Sequence, residues 1–260
     1  MNRNPIGVFD SGVGGLTVVE EIRHLLPLED IVYYADTANF PYGQKSVAEL
    51  RRLAAEATCF LIGKKAKLVV VACNTASSAA LSALRQQFPL PFVGMVPAIK
   101  PASAATRNGK VGVIATEATF QAEVFADLVA EFAQGVRVFV KPCPGLTELV
   151  EKGETDSPEI RRLLHLYLDP MLAEGIDVLV LGCTHYPFLR PAIESVVGNG
   201  VTVIDTGLPV ARQVVRMIEA HDLATDSPQH GKLACFTSGD EERFMTVGRM
   251  LCPQQVAVGL

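Results

Sequence analysis

Apolar, β-branched runs recur along this chain, each bounded by Gly, Asp, Asn or Pro. The first four are IGVFDSG (6–12), DIVYYAD (30–36), KLVVVACN (67–74) and PFVGMVP (91–97). Runs this continuous fit strands buried on both faces better than strands with one wet face. Segments of helical spacing lie between them. Leu16, Val19, Ile22, Leu25 and Leu26 share one helical face, and Val47, Leu50, Leu53, Ala54, Ala57, Phe60 and Leu61 form a second stripe. Strands alternating with helices predict a parallel sheet covered on both sides.

The pattern then begins again with KVGVIAT (110–116), VRVFVKPC (136–143), DVLVLGCT (177–184) and VTVIDTG (201–207). Ile6 and Val111 stand 105 positions apart, as do Ile31 and Val136, while Cys73 to Cys183 and Val93 to Val203 are 110. A period of that size is a domain, not a solenoid repeat. The expected fold is therefore α/β, in two similar lobes, each a mostly parallel sheet flanked by helices, with the active site in the cleft between them. The boundaries read as 1–97 plus 208–260 for the first lobe and 98–207 for the second. After Gly207 come a helix (PVARQVVRMIEA), a polar turn, a short strand (KLACFTSG) and a last helix (DEERFMTVGRML). This tail is expected to return to the first lobe.

Composition narrows the class of protein. Of the 260 residues 49% are hydrophobic, enough for a real core, and the net charge of -5 argues against a nucleic-acid-binding surface. The densest basic stretch, Lys64 to Lys67, reads as a solvated helix end. The first ten residues do not read as a secretory signal, and no apolar run approaches the ~18 residues of a membrane span. A cytoplasmic location is expected, where six cysteines stay reduced rather than bridged.

In open parallel sheets ligands bind beyond the carboxyl ends of the strands. Those ends here carry Asp10 with Ser11, Asp36, Cys73 with Asn74 and Thr75, and Cys183 with Thr184 and His185. Helix N-termini at the same edge favour a small anion. The turn DSGVGG is not a dinucleotide fingerprint, because position 17 is Thr; its glycines suit a tight turn and close approach of a ligand. The loop NFPYGQKS can lend Tyr42 and Gly43 to a ligand.

A lone buried cysteine is usually a small hydrophobe, which is the expectation for Cys59, Cys143, Cys235 and Cys252. Cys73 and Cys183 differ, because they end corresponding strands of the two halves. A thiol has an ordinary pKa near ~8.5 and can serve as acid or base. One thiol on each side of a bound carbon can remove a proton from one face and deliver one to the other. Asp10 is placed to manage the proton of Cys73, and His185 that of Cys183, with Glu148 or Glu151 behind the histidine. The other histidines, 24, 165, 221 and 230, read as surface or helix-end residues. No pattern completes a metal site around Cys183 and His185. A cysteine hydrolase using Cys183 with His185, and a two-lobed amino-acid-binding protein, remain as alternatives.

FDSGVGGLTVV, YYADTANFPYG, VVACNTAS, GVIAT and LVLGCTHYPFL, taken in order, resemble the glutamate racemase family. The match runs from Ile6 to about Gly207, with an echo in FTSGDEERF; the final CPQQVAVGL matches nothing. The wider superfamily of aspartate and hydantoin racemases shares the cysteine pair but differs around the first glycine turn. The resemblance implies a cofactor-independent enzyme, without pyridoxal phosphate or metal, that makes D-glutamate for peptidoglycan and commonly forms a homodimer. It implies that Cys73 serves the D-enantiomer and Cys183 the L-enantiomer. It makes Asp10, Ser11, Tyr42, Gly43, Asn74, Thr75, Thr184 and His185 substrate-binding residues, and Glu151 rather than Glu148 the assisting carboxylate. A racemase of another amino acid such as aspartate is the alternative within this class.

Overall fold

A computed structural model describes residues 3–256. Met1, Asn2 and residues 257–260, which belong to the expected first lobe, lie outside the described residues. The chain enters through β1 (Ile6–Asp10), α1 (Leu16–Leu25), β2 (Ile31–Ala35), α2 (Val47–Gly63), β3 (Leu68–Val71), α3 (Asn74–Gln87) and β4 (Phe92–Val93). It continues through α4 (Ile99–Ala105), β5 (Lys110–Ala115), α5 (Glu117–Gln121), α6 (Glu123–Phe132), β6 (Arg137–Pro142), α7 (Leu146–Val150), α8 (Pro158–Ala173) and β7 (Val178–Leu181). Then come α9 (Arg190–Val197), β8 (Thr202–Ile204), α10 (Gly207–Ala220), β9 (Leu233–Thr237), α11 (Glu241–Leu251) and α12 (Pro253–Val256).

These strands form two sheets, ordered β4-β3-β1-β2-β9 and β6-β5-β7-β8. Every pairing is parallel. Read from the opposite edge, the second sheet repeats the first four strands of the first: β8, β7, β5, β6 stand where β4, β3, β1, β2 stand. The 105-residue offset thus relates strands with the same place in the sheet. β9 is the exception. It extends the first sheet by pairing with β2, Ala35 opposite Thr237.

Burial follows sheet position. β1, β3 and β7 are buried throughout, whereas the edge strands β6 and β8 are half exposed. Cys73 and Cys183 follow β3 and β7, both interior strands. One hydrophobic core spans both sheets, joining Ile6, Val8 and Leu16 to Ile114, Leu181 and Tyr186, with Val210, Val214 and Ile218 of α10 packed into it. Separate clusters cover the other face of each sheet. Each fully buried Leu, Ile or Val contributes roughly 1.5–3 kcal/mol. Such a shared core holds the strand ends of the two sheets toward one cleft. No helix among the described residues is long and apolar enough to cross a membrane.

Four sequence expectations are corrected. The run at 91–97 is a strand only at Phe92–Val93, because the Met95 amide then donates to the Ser77 hydroxyl (2.9 Å) rather than to β3. Val47 does not join the buried stripe of α2; it is the first helical residue and half exposed. Cys59 is exposed, since it lies opposite the buried positions Leu50, Leu53, Ala54, Ala57 and Leu61. Lys67 is not solvated. It enters β3 buried, with its ammonium on the buried carboxylate of Glu29, which also accepts the Thr225 amide at 2.8 Å. Lys64 and Lys65 remain at the surface. Histidines 24, 165, 221 and 230 are exposed.

Removing one partner of a buried ion pair leaves an uncompensated charge. Glu29→Gln is therefore expected to cost about 3 kcal/mol of unfolding free energy, read by urea denaturation at neutral pH. A loss within ~0.5 kcal/mol would show the pair to be energetically neutral.

Candidate active site

Cys73 and Cys183 line one cavity, together with Ser11, Tyr42, Gly43, Asn74, Thr75, Thr184 and His185. Asp10 is buried at the end of β1, joined to this group by hydrogen bonds, and Glu151 is bonded to His185. The structure thus brings all the sequence-selected site residues together. The free space among them is about 20 Å3, room for about one water. A wider cavity of about 450 Å3 lies immediately outside, walled by Phe40, Glu148, Glu151, Arg243 and Phe244, and it contains neither thiol. The two spaces share Phe40 as a wall.

On the first-lobe side Cys73 has extended backbone (φ -144°, ψ 118°) and caps α3, so it faces the unpaired amides that open that helix. The Ala76 amide donates to its sulfur, and the Asp10 carboxyl shares a hydrogen bond with the same thiol. Burial, with the nearby Asp10 charge, pushes the Cys73 thiol well above its ordinary value. Burial likewise raises Asp10, against the opposing pull of His185 and the Ser11 amide. That amide donates to Asp10 Oδ1 at 2.6 Å, and the Thr184 hydroxyl reaches across from the second lobe to Oδ2 at 2.9 Å.

Cys183 follows β7 and lies 3.8 Å from His185 Nδ1. His185 Nε2 lies 2.7 Å from Glu151 Oε1, which also accepts the Val13 amide at 2.6 Å. Burial opposes charge on this imidazole. The hydrogen bonds to Cys183 and Glu151 outweigh burial, and His185 is held well above its ordinary pKa. Glu148 plays no part here: it turns back to the Gly145 amide and the Thr147 hydroxyl. The residues alone left Glu148 and Glu151 open and the family resemblance favoured Glu151; the geometry makes Glu151 the histidine's partner.

The glycines of DSGVGG serve a purpose the sequence did not show. A Cβ on Gly12 would stand 1.8 Å from Glu151 Oε1, and one on Gly14 would stand 2.5 Å from His185 Nδ1. What approaches this turn is the second lobe's acid–imidazole pair, not a ligand alone. The Tyr33 hydroxyl donates to the Gly12 carbonyl and pins the turn from behind.

Sequence reading missed Phe40, Pro41, Thr116, Thr119 and Thr147. Phe40, Pro41, Thr116 and Thr147 line the cavity, and Phe40 also packs on the His185 ring at 5.8 Å. The hydroxyls of Thr75, Thr116 and Thr119 close a triangle with edges of 2.8, 2.9 and 3.3 Å. A signal for Thr116 existed: it immediately follows β5 and lies 105 residues after Ser11, the repeat offset. Phe40 and Pro41 lay within the loop already singled out, and Thr119 and Thr147 offered none. Asn74, which the sequence did select, is buried with both side-chain polar atoms unpartnered at the cavity wall. A buried amide in that state is available to a ligand.

The sequence model of Asp/Glu/Hydantoin racemase matches residues 14–214. The chain belongs to this racemase family. A protein of Ectopseudomonas mendocina named glutamate racemase is 49% identical over 255 residues, covering 98% of this chain and 97% of that protein. One from Roseiflexus, of the same name, is 49% identical over 242 residues, 92% of this chain and 89% of that one. Among solved structures, a glutamate racemase isoform of Bacillus anthracis superposes with a TM-score of 0.88 at 34% identity, covering 98% and 96% of the two chains. An aspartate racemase homologue from Pyrococcus horikoshii, at 17% identity and a TM-score of 0.52, shares the fold alone. The two-sheet α/β architecture expected from the repeat is the architecture of these racemases.

Because Glu151 supports the charge on His185, Glu151→Gln is expected to lower the pKa of that imidazole. Nitrogen NMR titration of the His185 ring would read the shift. An unchanged titration would separate the carboxylate from the imidazole's charge.

Proposed function

We propose that this chain interconverts L-glutamate and D-glutamate by proton transfer between the substrate α-carbon and two thiols, without a cofactor. The observation that carries this reading is the placement of Cys73 and Cys183. They lie two residues beyond the ends of corresponding interior strands of the two sheets and line a single cavity. Each thiol has its own proton-handling group, Asp10 for Cys73 and His185 with Glu151 for Cys183.

The two sides are not chemically equivalent. A positive His185 supplies the counter-charge that a thiolate at Cys183 requires, whereas burial and Asp10 keep Cys73 protonated. In the L-to-D direction Cys183 takes the α-proton and Cys73 delivers one to the opposite face. In the reverse direction Asp10 first receives the Cys73 proton and His185 hands its own to Cys183; Cys73 then takes the α-proton and Cys183 delivers one to the opposite face. The α-hydrogen of an amino acid is a very weak acid, so the site must stabilise the carbanion. Amides at the start of α3 and the Asn74 side-chain amide are donors suited to the α-carboxylate, and the Thr184 hydroxyl joins them by giving up its bond to Asp10. The Thr75–Thr116–Thr119 triangle turns its donors to the distal carboxylate, breaking bonds among its own hydroxyls. Ser11, Tyr42 and Gly43 complete the enclosure. About 20 Å3 cannot hold an amino acid, so binding requires the cleft or its loop to open.

The reading extends to biology. D-glutamate made here supplies peptidoglycan synthesis, in a cytoplasm where the six unbridged cysteines stay reduced. The working unit is a homodimer, as the family resemblance implies. Each lobe, 1–97 with 208–260 and 98–207, acts as the carrier of one thiol.

Three outcomes test the chemistry. Cys73→Ala and Cys183→Ala each lower racemisation by at least ~10^2–10^4-fold while circular dichroism stays native; near-normal turnover in either variant removes that thiol from the mechanism. In heavy water, deuterium appears at the α-carbon as optical rotation decays. Amide cleavage without exchange would instead indicate a Cys183–His185 hydrolase. The pH dependence of kcat/KM is bell-shaped, since one thiol must be ionised and the other protonated. Because the enantiomers have equal free energies, the profiles in both directions coincide.

A further inference from the structure

Tyr42 and Gly43 reach the cavity from a loop, residues 37–44, whose support the catalytic reading does not explain. That support converges on one side chain. Asp36, buried just past the end of β2, accepts the Tyr42 hydroxyl on Oδ2 at 2.6 Å and the Ser238 hydroxyl on Oδ1 at 2.7 Å. The Asn39 amide donates to both oxygens at 3.0 and 3.1 Å. The Asp36 backbone amide in turn donates to the Asp10 carbonyl at 2.8 Å, which ties this carboxylate to the strand that carries the first-lobe acid. The carboxylate is fully engaged, and every donor to it belongs to the loop or to the segment after β9.

The same C-terminal segment grips the loop independently. The hydroxyls of Thr37 and Thr237 lie 2.6 Å apart, and the Ala38 amide donates to the Ser238 hydroxyl at 3.0 Å. Gly239 packs so closely that an added Cβ would stand 2.5 Å from Thr37 Oγ1. At its far end the loop meets the second lobe, where a Cβ on Gly43 would fall 2.9 Å from the Thr116 Cβ. Hydrogen bonds to a charged acceptor are roughly twice as strong as neutral ones, so a carboxylate fits the hub better than an amide would.

We propose that Asp36 is a positioning residue for racemisation: with Ser238 it fixes the 37–44 loop so that Tyr42 and Gly43 close the substrate cavity, making the C-terminal strand a working part of the site. The inference rests on the glutamate reading for its kinetic consequence, but its structural content can be read without substrate. Asp36→Asn keeps the shape and replaces one acceptor oxygen with a donor, so that either Tyr42 or Ser238 loses its partner.

The expected result is a rise in KM for glutamate of about tenfold or more, with kcat falling less, in a protein of native circular dichroism. Ser238→Ala gives the same split at a few-fold. In the Tyr42→Phe background, Asp36→Asn adds little, since the hydroxyl it orients is already gone. Hydrogen exchange at the amides of residues 38–45 quickens in Asp36→Asn without any substrate. The proposal is overturned by unchanged KM and loop exchange in folded Asp36→Asn, or by full additivity with Tyr42→Phe. If Asp36→Asn does not fold, an unchanged KM and loop exchange in Ser238→Ala overturns it equally. Faster loop exchange in a chain whose wild type leaves glutamate untouched would uphold the positioning and overturn the substrate.

Discussion

The site depends on one interlock between the lobes. Glu151 accepts the Val13 amide and partners His185 through the same oxygen, and both side chains press into a turn that carries no side chain at Gly12 or Gly14. The packing is too tight for a methyl group at either position. This contact therefore does two things at once. It fixes the spacing of the lobes at the cavity that both thiols line, and with Cys183 it holds charge on an imidazole that burial alone would neutralise. Thr184 adds a second tie by donating to Asp10, so each lobe's acid–base group is bonded to the other lobe.

Buried ionisable groups are costly, and here they are concentrated where work is done on a proton. Asp10, Cys73 and His185 are all buried, and each is shifted from its ordinary range toward holding a proton. The asymmetry arises because only His185 becomes charged by holding one. A site with one cationic and one acidic relay suits a carbon that must lose a proton on one face and gain one on the other. Lys67 and Glu29 show the contrasting use of buried charge. They sit at the opposite end of the first sheet, near the start of β3, pair with one another, and take no part in the cavity.

The C-terminal segment breaks the symmetry of the two halves. Both sheets share a four-strand order, but among the described residues only the first acquires a fifth strand, β9, and the end of that strand meets the cavity-lining loop held through Asp36. The shared strand order places one thiol just beyond an interior strand of each sheet. The end of the added strand holds the loop that carries Phe40, Pro41, Tyr42 and Gly43 to one side of the cavity.

The alternation of apolar runs and helical stripes, and their recurrence at 105 to 110 residues, determined the two parallel sheets and the strand-end placement of Cys73 and Cys183. Periodicity can do this because burial on both faces demands continuous apolar strands, and chemistry collects where such strands stop. Periodicity also marked Asp10, Ser11, Thr184 and His185, which adjoin strand ends. It could not choose Glu151 over Glu148, since the two are three residues apart on one short segment and only the approach of His185 distinguishes them. Nor could it show that Lys67 is buried, that Cys59 is not, or that Thr119 joins two other hydroxyls. Those facts concern pairs distant in sequence. The purpose of Gly12 and Gly14 is of the same kind, for the room they leave is filled by residues some 140 and 170 positions away, and only the packing of one lobe on the other brings them there.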